Sequence, residues 1–273
     1  MNKLVFFFFL IFNLTYSQVK YSIYDSQTKL PISYANIWKE KMLYISTDSL
    51  GEFVVKDKDL KDNFKITAIG YNDTIIQLNE NNIYIKSSKI LLDEVRIIKR
   101  KNEKAVKIGK AKRGDTVYGV QYDAKNGKCA KYFLNQNDGI TFLNKIKFVA
   151  LTSDKNRIVN LVFYSVGING EPKEILNTEN KIIQFKKGNH TIEVDVCDLN
   201  IEFPKEGIFV VIQHLLLEQN KNYAKPYYPN AFVYEPCIWV DYCDEYKDTW
   251  YFKDDKWEKN NRFSINMEIS ISN

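Results

Sequence analysis

Apolar and polar residues alternate with period two through most of the chain, in strand-length segments split by turn residues. Val19, Tyr21 and Ile23 alternate with Lys20, Ser22 and Tyr24, and "YANIWKE", "EFVVK", "FKITAIGY", "DTIIQL" and "IYIK" follow. Short segments at this spacing predict an antiparallel β-sandwich over residues 18–97. The pattern resumes at Val117 with "TVYGVQY" and runs to "RFSINMEISIS", where Phe263, Ile265, Met267, Ile269 and Ile271 fall on one face. Roughly eight to ten such segments predict a two-sheet sandwich of jelly-roll type over 117–273. The expected fold class is all-β. Residues 98–116 are dense in Lys and Arg and read as a basic, solvated linker, with a short helix through "NEKAVKIGKA".

The first residues break the alternation. Met1-Asn2-Lys3 is followed by an almost wholly apolar run from Leu4 to Leu14, then by Thr15 and Ser17 ahead of Gln18. A basic start, a short apolar stretch and small residues at −3 and −1 are the layout of a secretory signal peptide over residues 1–17. The run is shorter than the roughly 20 residues a membrane span needs. No Cys follows the cleavage point, so no lipid anchor is expected, and no later segment is apolar enough to span a bilayer. The expected location is the periplasm or the outside of the cell.

Asp48-Ser49-Leu50-Gly51 sits between two strand candidates, "MLYIST" and "EFVVK". Asp at the first position of a turn and Gly at the fourth predict a structural hairpin loop, and nothing nearby supplies a partner for metal or acid–base chemistry. With the turn in place, the ordered set Asp25-Ser26-Gln27-Thr28-Lys29-Leu30-Pro31-Ile32, Ala35-Asn36-Ile37, Thr47-Asp48-Ser49-Leu50-Gly51-Glu52-Phe53 and Ile69-Gly70-Tyr71 resembles the carboxypeptidase regulatory-like domain. This is the transthyretin-like β-sandwich of many exported Bacteroidetes proteins. Leu92-Asp93-Glu94-Val95 is similar to the segment that follows this domain in outer-membrane nutrient receptors. The family often has Gly where Tyr21 and Lys29 stand here. The resemblance implies an accessory, non-catalytic module, here free-standing because the remaining chain is too short for a receptor barrel. The C-terminal region resembles only uncharacterised flavobacterial sequences.

Composition narrows the chemistry. The 39 basic and 34 acidic residues are mixed and leave a formal charge of +5, which gives no argument for nucleic acid. Four cysteines, Cys129, Cys197, Cys237 and Cys243, permit disulfides in an exported chain, Cys237 and Cys243 being close enough in sequence to staple one loop; buried free thiols are the equal alternative. His190 and Glu193 spell H-x-x-E, but on an alternating strand residues three apart point to opposite faces. The second His, His214, lies in an apolar run. No nucleophile elbow and no phosphate-cradling glycine loop occurs. No catalytic residue, cofactor or metal is therefore expected.

Residues 223–257 concentrate Tyr and Trp among acids. Trp239, Tyr242, Trp250, Tyr251 and Trp257 are the candidate ligand-binding residues, able to stack on sugar rings or to anchor a polypeptide; filling the sandwich core is the plainer role. The expected protein is a non-catalytic binding or adaptor protein of the cell envelope, its partner an envelope protein or a polysaccharide. A hydrolase is the remote alternative.

Overall fold

The computed structural model describes residues 19–56, 59, 61–88, 105–121, 127–136, 139, 141–223, 232–242 and 248–273. The segment 1–17 expected as a signal peptide, Leu92–Val95, Cys243 and part of the aromatic stretch 223–257 lie outside the described residues. The protein is all-β, as the alternation predicts. No described helix is long and apolar enough to cross a membrane.

The N-terminal unit contains β1 (Val19–Asp25), β2 (Asn36–Lys39), β3 (Met42–Ser46), β4 (Glu52–Val55), β5 (Asn63–Thr67), β6 (Thr74–Gln77) and β7 (Asn82–Ile85). One sheet runs β4-β1-β7 and the other β3-β2-β5-β6. Their inward residues, among them Ile23, Phe53 and Val55 from the first and Ile37, Phe64 and Ile66 from the second, pack as one core. One departure from the expected antiparallel sandwich is that β1 and β7 run parallel.

Asp48–Gly51 is a turn, but not a hairpin. β3 pairs with β2 while β4 pairs with β1, so the turn carries the chain from one sheet to the other. Asp48 Oδ1 accepts the backbone N–H groups of Leu50 and Glu52 at 2.8 and 2.9 Å. Gly51 has φ +73°, and a Cβ there would stand 2.9 Å from the Ile23 carbonyl. Buried Thr47 ties the arch down, accepting from Ala35 N and donating to the Ile32 carbonyl.

The C-terminal unit continues with β8 (Val106–Gly109), β9 (Thr116–Gln121), β10 (Lys128–Phe133), β11 (Phe142–Thr152), β12 (Ile158–Val166), β13 (Pro172–Ile175), β14 (Lys181–Gln184) and β15 (Gly188–Asp195). β16 (Ile208–His214), β17 (Lys221–Tyr223), β18 (Phe232–Tyr242), β19 (Thr249–Lys253), β20 (Lys256–Asn260), β21 (Phe263–Ile265) and β22 (Met267–Ser272) complete it. One sheet contains the neighbours β9-β18-β11-β15. The facing sheet contains β10-β16-β12-β14. The chain changes sheet at almost every step between these strands, which is the double Greek-key wiring of a jelly roll. Hairpin β19–β20 extends the second sheet beyond β10, and β22 with β8 extends the first beside β11. Between the sheets lie Phe133, Leu161, Phe163 and Val210 on one side and Ile146, Phe148, Ile238 and Ile269 on the other, all buried.

The basic stretch 98–116 is not a free linker where it is described. Val106–Gly109 is a strand on β22, with Ile108 against the core, rather than a helix. Two apolar residues at period two are enough for an edge strand, while Lys107 and Lys112 find Glu268 and Asp241 at 3.6 and 3.1 Å. The disulfides considered from the sequence are not made by the described cysteines. Cys129 and Cys237 are free thiols, Cys129 pointing into the core, while Cys197 is exposed with its Sγ 3.7 Å from the Asn144 carbonyl.

The two units meet over an apolar seam. Trp38 and Leu43 of the first pack with Leu216 and Tyr234 of the second, and Ile69 packs on the outer face of the β12-β16-β10 sheet. Ser46 donates from its backbone N to the Leu216 carbonyl at 3.3 Å, and its Oγ accepts Leu216 N at 3.0 Å. Asn180 Nδ2 donates to the Ser33 carbonyl at 3.2 Å.

Candidate functional site

The outer face of the second jelly-roll sheet forms the floor of a cleft between the units. Directly opposed residues of neighbouring strands share a face. The registers Trp257↔Phe252, Phe252↔Lys128, Lys128↔Gln213 and Gln213↔Asn160 therefore line up one row across β20, β19, β10, β16 and β12. The opposing wall comes from β2, β5 and the segment after β5, with Trp38, Lys65 and Tyr71. The enclosed volume is about 490 Å³, within the range of small-molecule sites.

Rings form one end of the cleft. Phe252 meets Trp38 edge-on at 5.7 Å between centroids and Trp257 at 5.3 Å. Trp257 in turn meets Tyr164 at 5.6 Å. Lys128 lies among them, donating to Tyr164 Oη at 3.1 Å with its ammonium 5.2 Å from the Phe252 ring centre. Among the described residues no carboxylate pairs with Lys128. Gln213 is 5% exposed, lines the cleft and makes no side-chain hydrogen bond among the described residues. Asn36, also deeply buried, accepts from Ser46 Oγ at 2.9 Å. Asn160 and Asn180 are bonded to each other at 2.7 Å. At the rim Lys65 pairs with Asp255 at 3.3 Å and Asp73 at 3.6 Å, and Lys173 with Glu174 at 3.5 Å. Burial, with Asp25 nearby, pushes the Tyr71 phenol up.

The five aromatic candidates do not form one surface. Trp257 is in the floor row, and Trp250 lies beside it on the same face, edge-on to Phe209 at 6.1 Å with Lys259 over its ring. Tyr251 opposes Cys129 and so points to the other side of the sheet. Trp239 and Tyr242 belong to the opposite sheet. Trp239 Nε1 donates to Asn189 Oδ1 at 2.7 Å, with the Arg113 guanidinium 4.9 Å from its ring, and Tyr242 is 65% exposed. The sequence pattern does not single out Lys128, Gln213, Trp38 or Phe252. The one available signal is an amide, Gln213, inside the apolar run "IFVVIQHLLL".

A second cavity of about 350 Å³ lies near β8 and β22, lined by Lys131, Lys112, Asp241, Asp248 and Asn266. Lys131 is 8% exposed and donates to the Ile265 carbonyl at 2.6 Å and to Ser264 Oγ at 3.3 Å, with Asp248 at 3.5 Å. Desolvation lowers its pKa, with Asp248 opposing. These contacts occupy the ammonium.

The histidines are far apart in role. His190 is exposed on β15 with Nε2 at 2.8 Å from the Lys187 carbonyl, while Glu193 pairs with Lys145 at 2.7 Å. His214 is fully buried, with Nε2 donating to the Pro236 carbonyl at 2.9 Å. Among the described residues no three His, Cys, Asp or Glu side chains converge as a metal-binding group.

No family model and no curated protein matches the sequence. Among solved structures the fold is similar to a clostridial cysteine protease, Cwp84 with one cysteine replaced by alanine, after propeptide cleavage. The identity is 13% and the TM-score 0.44, over 95% of this chain and 66% of that one. Two structures from infectious bursal disease virus, one of the Gx strain and one of virus-derived T=1 particles, match at a TM-score of 0.28. They are 8% and 10% identical, over 87% and 93% of this chain. The chain spans 56% to 66% of the length of these three solved chains.

Proposed function

We propose that this chain is an exported, non-catalytic binding protein of the cell envelope, and that its ligand occupies the cleft between the two β-units. The observation that carries the reading is the convergence of Trp38, Phe252, Lys128 and Gln213 on one cavity of about 490 Å³. The Trp38 and Phe252 rings stand beside the polar groups of Lys128, Gln213 and Asn36, a mix that suits a ligand with both apolar and hydrogen-bonding surface. The basic and apolar N-terminal segment supports export. The ordered motifs of residues 25–71 support a carboxypeptidase regulatory-like identity for the first unit. The separation of His190 from His214, and the burial of Cys129, favour binding over catalysis. A polysaccharide fragment fits better than an envelope protein, because the polar groups lie on the floor of a cleft and not on a flat face.

The test uses Ile175, which lines the cleft and is 44% exposed. Ile175→Trp fills the opening without touching either core. Envelope glycan fragments and peptides are screened by thermal shift against the mature chain. Ligands that raise its Tm are expected to lose the effect in Ile175→Trp, whose own Tm stays within a few degrees. Equal shifts in both proteins would place the ligand elsewhere.

A further inference from the structure

We propose that the cleft takes an acidic sugar, a hydroxyl-rich ring whose carboxylate is held by Lys128 and Gln213; this rests on the cleft being the ligand site. An ammonium has three donors, and Lys128 gives one to Tyr164 Oη. The remaining two have no acceptor among the described residues. Beside it in the same cross-strand row, the Gln213 carboxamide has both donors and its acceptor unused although the residue is 5% exposed. The Gln213 amide is not sealed off without a partner; it opens onto the cleft, where a ligand can replace water as its hydrogen-bond partner. Asn36 adds a further nitrogen, since its Oδ1 already receives Ser46 Oγ.

The sign of the ligand follows from where the charges sit. Lys65, Lys128 and Lys173 balance Asp73, Glu174 and Asp255 in number, but not in place. Each of the three carboxylates is within 3.6 Å of Lys65 or Lys173, and all three are solvent-exposed. Among the described residues the floor is left with one lysine and no counter-charge. A zwitterionic amino acid or peptide terminus would need an unpaired carboxylate for its ammonium, and the lining offers none. A neutral ring would leave Lys128 unanswered. An anion with hydroxyl groups satisfies the lysine, both amides and the flanking Phe252 and Trp38 edges together.

The experiment is calorimetric titration of the mature chain with galacturonic acid oligosaccharides, with neutral galactose oligosaccharides of the same length, and with inorganic phosphate. The acidic oligosaccharides are expected to bind at least about tenfold more tightly than the neutral ones, and less tightly as salt rises. Lys128→Met keeps the stem that packs on Phe252 and is expected to weaken acidic-sugar binding by about tenfold or more, while Lys128→Arg retains most of it. Gln213→Met is expected to weaken it as well. Neutral sugars binding as tightly as acidic ones, or Lys128→Met binding unchanged, overturns the proposal. So does phosphate matching the acidic sugars, which would leave a bare anion site. If neutral sugars bind as tightly as acidic ones and both are lost in Ile175→Trp, the cleft stands and the acidic ligand falls. If acidic-sugar binding survives Ile175→Trp, the cleft itself is wrong.

Discussion

His214 shows how one side chain carries the cost of a dry core. Its Nε2–H is used by the Pro236 carbonyl, and its buried Nδ1 has no partner among the described residues. A proton added at Nδ1 would have neither water nor acceptor, so desolvation depresses the imidazole from 6.5 to about 4, the carbonyl bond opposing. The unfolded chain takes up this proton near its ordinary pKa, whereas the folded chain resists until about pH 4. The neutral imidazole therefore contributes its full stability above about pH 6.5, and the contribution is lost as pH falls towards 4, a swing of about 3 kcal/mol. Urea unfolding midpoints measured from pH 7 to 4 should fall steeply for the wild type and less so for His214→Leu. Parallel curves for the two proteins would show that the imidazole titrates freely. Gln213, the next residue back, faces the other way along the strand, so the same sheet isolates one polar group in the core and offers another to the cleft.

At the scale of elements, period two is enough to read the fold class and most strands, because alternation reports directly which side chains face a core. It cannot report which strand pairs with which. Asp48–Gly51 reads as a hairpin in sequence, yet β3 and β4 sit in different sheets, a difference set by partners far along the chain. Trp239, Trp250 and Trp257 look alike in the sequence; only the strand order sends the first to one sheet and the other two to the outer face of the other. In the basic stretch, charge density hides the alternation of Val106 and Ile108. Its strand depends on Gly109, which has φ +91° and where a Cβ would stand 2.4 Å from the Met267 carbonyl. Gly109→Val should strip β8 from β22 at a cost of about 1–3 kcal/mol, leaving the jelly roll folded. Brief trypsin digestion followed by mass spectrometry should then show new cuts after Lys107 and Lys110, sites the wild type protects. An unchanged digest would mean that β8 is held by something other than that backbone contact.

The molecule has two sandwich cores with a cleft between them, and the seam between the units decides whether that cleft exists. Trp38 and Leu43 are buried, yet neither belongs to the core of its own sandwich; both pack with Leu216 and Tyr234. Leu43 presses on Gly127, where an added Cβ would come within 2.6 Å of its Cδ2, so that bare backbone admits the leucine. The cleft borrows its wall from one unit and its floor from the other, and it is invisible in the sequence because it forms only on docking. Burying a leucine in this way is worth about 2–5 kcal/mol against truncation, and a charge in its place has no partner and costs more. Calorimetry of the wild type should therefore give a single melting transition. Leu43→Asp, which alters no cleft residue and spares both sandwich cores, should split it into two and abolish ligand binding. Two folded halves that no longer bind would show that function resides in their alignment. One transition at an unchanged Tm, with binding intact, would show that the seam contributes neither stability nor site.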